Sequence, residues 1–290
     1  MNWPRARAIL IISFLALDLF LGYVLLDSQR EFSELTASEV QQAIETAAEY
    51  GILVSSQMPR RVMAVPFLVV RPQEADAQML AERLLGPEQV HTVQSSKELS
   101  VWANDEGQVT ILSTGVVIYN RAKIEPRTQS TPLDLRAARA ALEKFLSERG
   151  MFPGDARFDF AEEMSPGVFF LRYYQEYQGY PVFGGYITAT VDERGVENMR
   201  KIWFSPVGLG EQRRLLMTAP DALVTAAPEI ANQLGRTVTL ESVKFGYLSE
   251  ALDARQWDVL PVWRFGFSDF MFVYVDGYSG EVLKIDTTKR

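Results

Sequence analysis

One stretch limits everything else this chain can do. Residues Ile9 to Leu26 read ILIISFLALDLFLGYVLL, apolar except for Asp18. Wound as a helix at about 1.5 Å per residue, the run extends roughly 27 Å, close to the hydrocarbon thickness of a bilayer. It exceeds the ~7–15 residues of a cleavable signal's apolar core, and Leu25, Leu26 and Asp27 make no small-residue cleavage site. The sequence therefore predicts an uncleaved, single-pass anchor over 9–26. Arg5 and Arg7 precede it, so the positive-inside bias leaves 1–8 as a cytoplasmic tail and puts the bulk of the chain outside the cell membrane.

Asp18 lies at mid-span, where a carboxylate costs about 2.5–3.5 kcal/mol on insertion scales. Helical spacing places Leu15, Asp18, Gly22 and Leu25 on one stripe. Gly22 would let a second helix approach closely. Two readings stay open here: a contact with a partner helix inside the bilayer, or a single acid tolerated in a hydrophobic anchor.

Charge and composition narrow the exported part. The whole chain carries a net charge of −8, one histidine and no cysteine. Leaving out Arg5, Arg7 and Asp18 leaves 27 basic and 36 acidic groups, a net charge of −9 outside. Such a surface repels phosphate backbones, which argues against nucleic acid as a partner. Without cysteine there are no disulfides, thiol nucleophiles or Cys-based metal centres.

Hydrophobic patterning predicts an α+β ectodomain. Thr36-Ala37-Ser38-Glu39 opens a helix running to about Tyr50, with Gly51 as its stop. Val62 to Val70 reads as a strand in which Pro66 argues for an edge or a bulge. A helix over roughly 74–85 and four short strands follow, near 90–94, 98–103, 108–112 and 116–120. Beyond the turn-rich Pro126 to Pro132, two segments look alike. Each is a helix (133–149; 220–234, split or kinked at Pro228) followed by four strands. TVDERGVENMRKI closes the first and YVDGYSGEVLKI the second, each ending in Lys-Ile at Lys201-Ile202 and Lys284-Ile285. Expected units are thus 27–125, 126–210 and 211–290, the last two being repeated helix plus antiparallel β-meander modules.

Aromatic residues crowd both meanders: Phe169, Phe170, Tyr173, Tyr174, Tyr177 and Tyr180 in one, Trp257, Trp263, Phe265, Phe267, Phe270 and Phe272 in the other. Alternation points them to both sheet faces. They are either packing on both sides or, in part, an exposed patch that docks another protein.

Catalytic equipment is sparse. His91 stands on a short strand without a second histidine to share a metal. Glu162-Glu163 with Asp253 is the one carboxylate set that suggests glycoside hydrolysis, and nothing fixes its separation. Gly184-Gly185 reads as a strand bend, and Asp276 to Gly280 as a hairpin turn rather than a calcium loop. No catalytic residue, metal ligand or cofactor is expected.

The N-terminus carries a family resemblance. Asn2-Trp3, Arg5, Arg7, then Ile11-Ile12, Phe14-Leu15, Leu17-Asp18-Leu19-Phe20-Leu21 and Tyr23 resemble the opening of the YycI family. The anchor-plus-ectodomain layout is similar to YycI and, more distantly, to its companion YycH. Pro181-Val182-Phe183 and Pro261-Val262-Trp263-Arg264 resemble strand motifs of PepSY-like modules. The resemblance implies a regulator of the YycFG (WalKR) two-component system, which controls cell-wall metabolism. Its implied partners are a YycH-like protein and the sensor histidine kinase, met through transmembrane and extracellular contacts in a dimer or hetero-oligomer. The alternative is a PepSY-like extracellular protease inhibitor or chaperone; an enzyme acting on wall polymers ranks behind both.

Overall fold

The computed structural model describes residues 12–22, 34–73, 76–86, 90–122, 133–250 and 254–287. Helix α1 covers 12–22, and no helix among the described residues is long and apolar enough to cross a membrane. The remainder of the expected anchor, 9–11 and 23–26, lies outside the described residues, as does the turn-rich 126–132.

Local chemistry sets the ends of the next elements. Thr36 caps α2 (Ala37–Glu49) through a reciprocal box: Glu39 N–H donates to its hydroxyl at 3.3 Å, and its own N–H donates to the Glu39 carboxylate at 2.7 Å. Gly51, at φ +77°, turns the chain into β1 (Ile52–Val54). The strand expected over 62–70 is two strands, β2 (Ala64–Val65) and β3 (Leu68–Pro72). Pro66 lacks an N–H and interrupts the ladder between them. Asp76 then caps α3 (Ala77–Leu85), accepting from Met79 N–H at 3.0 Å.

Four short strands follow as an antiparallel meander: β4 (His91–Ser95), β5 (Leu99–Asn104), β6 (Gly107–Leu112) and β7 (Val117–Arg121). Asp134 caps α4 (Leu135–Glu148). The long meander β8 (Ala156–Ser165), β9 (Val168–Tyr177), β10 (Tyr180–Asp192) and β11 (Gly195–Ile202) comes next, again antiparallel throughout. After β12 (Phe204–Leu209) and β13 (Arg214–Leu215), Thr218 caps α5 (Ala219–Leu234). This helix runs through Pro228 without splitting. The chain ends in β14 (Val238–Leu248), β15 (Trp257–Phe267), β16 (Met271–Asp276) and β17 (Val282–Thr287), paired in sequence order. The expected α+β class is thus present, and α4 and α5 are each followed by a run of strands.

Contacts divide the chain into two units that do not follow chain order. The first holds, among the described residues, 12–22, 34–65, 214–243 and 265–286. In it α2 packs on α5, burying Val40, Ala43 and Ala47 from one helix and Leu223, Ala226 and Ile230 from the other. β1 lies parallel to β14, with Ile52 opposite Val238.

The second unit comprises Pro66–Arg213 and Lys244–Arg264 in its described parts. Its sheet runs β4-β5-β6-β7-β11-β10-β9-β8, because β11 pairs with β7 and so joins the two meanders. α3 and α4 share one core with a single sheet face: Ala81, Leu84, Ala138, Leu142 and Leu146 meet Val109, Val117, Leu171, Ile187 and Ala189. The opposite side holds a second core, in which Leu68, Val70, Val182, Phe204, Tyr247 and Val259 meet. Phe169 and Tyr173 fall in the first core, and Tyr177, Tyr180 and Trp257 pack against the second. Of the two aromatic clusters only Phe270 is exposed, at 37%. The aromatic density is therefore chiefly packing.

Candidate functional site

Of the residues singled out in the anchor, Leu15, Asp18 and Gly22 lie on α1, where Leu15 and Asp18 are exposed. A Cβ added at Gly22 would meet nothing within 4 Å. Leu25 lies outside the described residues. His91 is exposed on β4. Glu162 and Glu163 are consecutive in β8 and so point to opposite faces, which keeps them from converging on one substrate. Glu163 instead accepts the Gly167 N–H at 3.0 Å and closes the β8–β9 turn; Asp253 lies outside the described residues. Among the described residues no group of three or more His, Asp or Glu is placed to hold a metal ion.

The two Val-Asp-turn motifs prove to be structural. Asp192 accepts from Arg194 N–H at 2.8 Å, and Asp276 accepts from Tyr278 N–H at 2.7 Å and Ser279 N–H at 3.0 Å. Each carboxylate ties down the hairpin that returns the chain. Their Lys-Ile ends differ. Lys284 is exposed and sits 3.7 Å from Asp286. Lys201, at the matching place in the other motif, is only 7% exposed.

Lys201 marks a cleft in the second unit. Its registered neighbours form one row across the sheet, Ile111 on β6, Val117 on β7, Lys201 on β11 and Ile187 on β10. A lysine stands where the row is otherwise aliphatic. α3 rises on one side of this floor and the turn after α4, Gly150-Met151, on the other. The space between is about 570 Å³, within the ~300–1,000 Å³ range of small-molecule sites. Leu80, Ile111, Val117, Met151 and Trp203 give it apolar walls, and Arg83 adds a second cation.

The electrostatics of the cleft are unbalanced. Lys201 Nζ donates to the Met151 carbonyl at 3.3 Å and lies 6.0 Å from the Trp203 ring centre. Burial pushes its pKa down to about 8, against a weaker opposing pull from Asp155. That carboxylate is itself engaged, accepting from Trp203 Nε1 at 3.1 Å and from Gln175 Nε2 at 3.0 Å. No acid is among the described residues lining the cleft. Sequence reading passes over Lys201 because a lysine in a strand is ordinarily solvated. The signal that could have found it is Met199-x-Lys201-x-Trp203, three residues in the phase of one strand face with the outer two buried.

Comparison with known proteins identifies relatives at the level of family and fold. The family model described as YycI protein matches residues 34–269. An uncharacterized protein from Eubacterium rectale ATCC 33656 shares the fold at a TM-score of 0.53 and 10% identity, covering 85% of this chain and 99% of its own. The Bacillus megaterium YpeB C-terminal domain aligns over 76% of this chain and 100% of its own, with 13% identity and a TM-score of 0.37. No curated protein matches.

Proposed function

The chain belongs to the YycI family, and from that premise we propose that it is a membrane-anchored, non-enzymatic regulator of a sensor histidine kinase. The family is a regulatory one, involved in the YycFG system and associated there with YycG and YycH. In our reading the chain spans the cell membrane once, with its N-terminus cytoplasmic and its α+β part extracellular. It contacts the kinase and a YycH-like partner through both regions, and thereby adjusts cell-wall metabolism.

The observation that carries this reading, beside the family match, is the character of 9–26. On α1 the apolar side chains at 12, 14, 15, 17, 19, 20 and 21 are all exposed, Leu19 to 69% and Ile12 to 67%. A helix apolar on every side is one that lies in a membrane or a protein core. Regulation would follow if contacts differ between two kinase states. A tenfold shift between the states needs about 1.4 kcal/mol of differential contact, within reach of one buried polar contact such as Asp18 could make.

The test is affinity recovery of the full-length chain from membranes. Co-recovery of a sensor kinase and a YycH-like protein is expected, with recovery reduced by Asp18→Leu while the variant stays in the membrane fraction. Unchanged recovery and kinase output with Asp18→Leu would sink the intramembrane contact. Partition of the unaltered chain into the aqueous fraction would sink the anchor, and recovery of a protease in place of the kinase would favour an inhibitor.

A further inference from the structure

We propose that the cleft between α3 and the turn after α4 binds a small amphipathic carboxylate, its head on Lys201 and its apolar body along Leu80, Ile111 and Val117. Three independent features point there. The first is position: the sheet register sets Lys201 between Val117 and Ile187, so its ammonium has no polar neighbour across either strand pair. The second is charge. Among the described residues Lys201 makes no ion pair, Arg83 lines the same cleft, and Asp155 is occupied by Trp203 and Gln175. In a chain of net charge −8, this is a cleft with two cations and no acid among the described residues of its lining. The third is size and surface, since about 570 Å³ with aliphatic walls suits an apolar body rather than a bare hydrated ion.

A carboxylate head answers what the protein leaves unmet. An ammonium has three donors, and the Met151 carbonyl takes one at 3.3 Å. An anionic oxygen facing Nζ would form a charge-assisted hydrogen bond in a partly desolvated site, where such bonds are strongest. One buried cation, with the exposed Arg83 in the same lining, matches a monoanion. The charged group that acts on Lys201 is Asp155, while Arg83 shares the lining and the sheet neighbours Val117 and Ile187 do not titrate. Binding therefore draws a proton onto Lys201 and weakens once the free lysine is neutral.

The probe is 4-phenylbutyrate, titrated against the full-length chain in detergent micelles and followed by ligand-observed NMR. Its neutral amide and inorganic phosphate serve as comparators. Saturable binding of the carboxylate at pH 7 is expected, with the amide and phosphate weaker by about tenfold or more. Lys201→Met should remove that preference and leave amide binding in place. Should Lys201→Met fail to fold, the pH series decides: carboxylate affinity in the unaltered chain should fall between pH 7 and pH 9.5, while amide affinity stays level. Equal binding of carboxylate and amide, preference for phosphate, affinity independent of pH, or no saturable binding each overturns the proposal.

Discussion

Arg264 holds Asp159 with both ends of its guanidinium, Nη1 to Oδ2 at 2.5 Å and Nη2 to Oδ1 at 2.7 Å, and both side chains are 2% exposed. Arg264 closes the Pro261-Val262-Trp263-Arg264 motif of β15, and the Phe183 ring of β10 lies 4.4 Å beneath its guanidinium carbon. Two further cations crowd the same carboxylate, Arg172 Nε at 3.7 Å and Lys244 Nζ at 3.9 Å. The pKa of Lys244 is lowered by burial and by the charge of Arg264, with Asp159 opposing both.

Asp159 is thus the common counterion of three cations, and removing it leaves Arg264 and Arg172 facing each other out of water beside the more exposed Lys244. Asp159→Asn should cost about 3–5 kcal/mol, the range for breaking one side of a buried ion pair. Asp258→Asn, on an exposed residue of β15, should stay within about 0.5 kcal/mol. Urea denaturation of the two variants measures the contrast, and equal midpoints would refute the counterion role.

Lys201→Met should act in the opposite direction. The folded-state value of about 8 lies below the ordinary 10.5, so the folded chain holds this proton less tightly than the unfolded one. The penalty is fully present below about pH 8 and disappears as pH rises towards 10.5. Without ligand, Lys201→Met should gain about 1–3 kcal/mol at pH 7, and the gain should shrink by pH 9.5. Denaturation of both proteins at the two pH values checks the sign, and a loss of stability at pH 7 would contradict it.

The legible and the illegible parts of this fold separate by range. Thr36 announces helix α2 because capping is settled within four residues. Gly184-Gly185 announces a bend, and the β10 register does shift between Val182 and Tyr186. What the sequence does not display is which distant strands pair. Lys201 opposite Val117 and Ile52 opposite Val238 are chosen by packing, not by local propensity. The cleft inherits that obscurity, since its floor exists only once β6, β7 and β11 are in register. Lys201-Ile202 and Lys284-Ile285 look alike in sequence, yet one lysine is enclosed and the other exposed.

Acid should act through Asp192. Arg121 clasps it in a fork, Nη1 to Oδ1 at 3.0 Å and Nη2 to Oδ2 at 2.6 Å, and Arg194 adds a backbone and a side-chain donor. Burial alone would raise its pKa, but the donors from Arg121 and Arg194 outweigh it and hold the value below that of a free aspartate. A depressed carboxylate contributes stability above its unfolded pKa of about 3.9 and loses it as pH falls through the folded value. Asp192→Asn should therefore cost about 1–3 kcal/mol at pH 7. Its difference from the unaltered chain should close at the acid end of that window. A difference constant from pH 7 down to the acid limb would show that the ion pair is not its source.

The last expectation concerns backbone against backbone. β10 and β14 meet in parallel at Val182 and Tyr247, and glycines stand on both sides of the meeting point. A Cβ at Gly184 would collide with the Ser249 carbonyl oxygen, and one at Gly246 with the Pro181 carbonyl oxygen and the Phe183 ring. Pro181 is inside β10 and Ser249 directly follows β14, so both carbonyls are main chain and cannot swing aside as the tip of a flexible side chain can; relief requires the backbones to part. Parting them strains the core around Val182 and Tyr247, each at most 1% exposed, and the Tyr247 hydroxyl would be drawn from the Pro66 carbonyl it donates to at 3.0 Å. Gly184→Ala should accordingly cost about 1–3 kcal/mol, the range for an overpacked interior. Gly154→Ala, where an added Cβ meets nothing within 4 Å, should lie within about 0.5 kcal/mol of the unaltered chain. Thermal or urea midpoints compared across the two alanine variants carry the test: if Gly184→Ala unfolds with Gly154→Ala, the close approach of the two strands is not what the glycine serves.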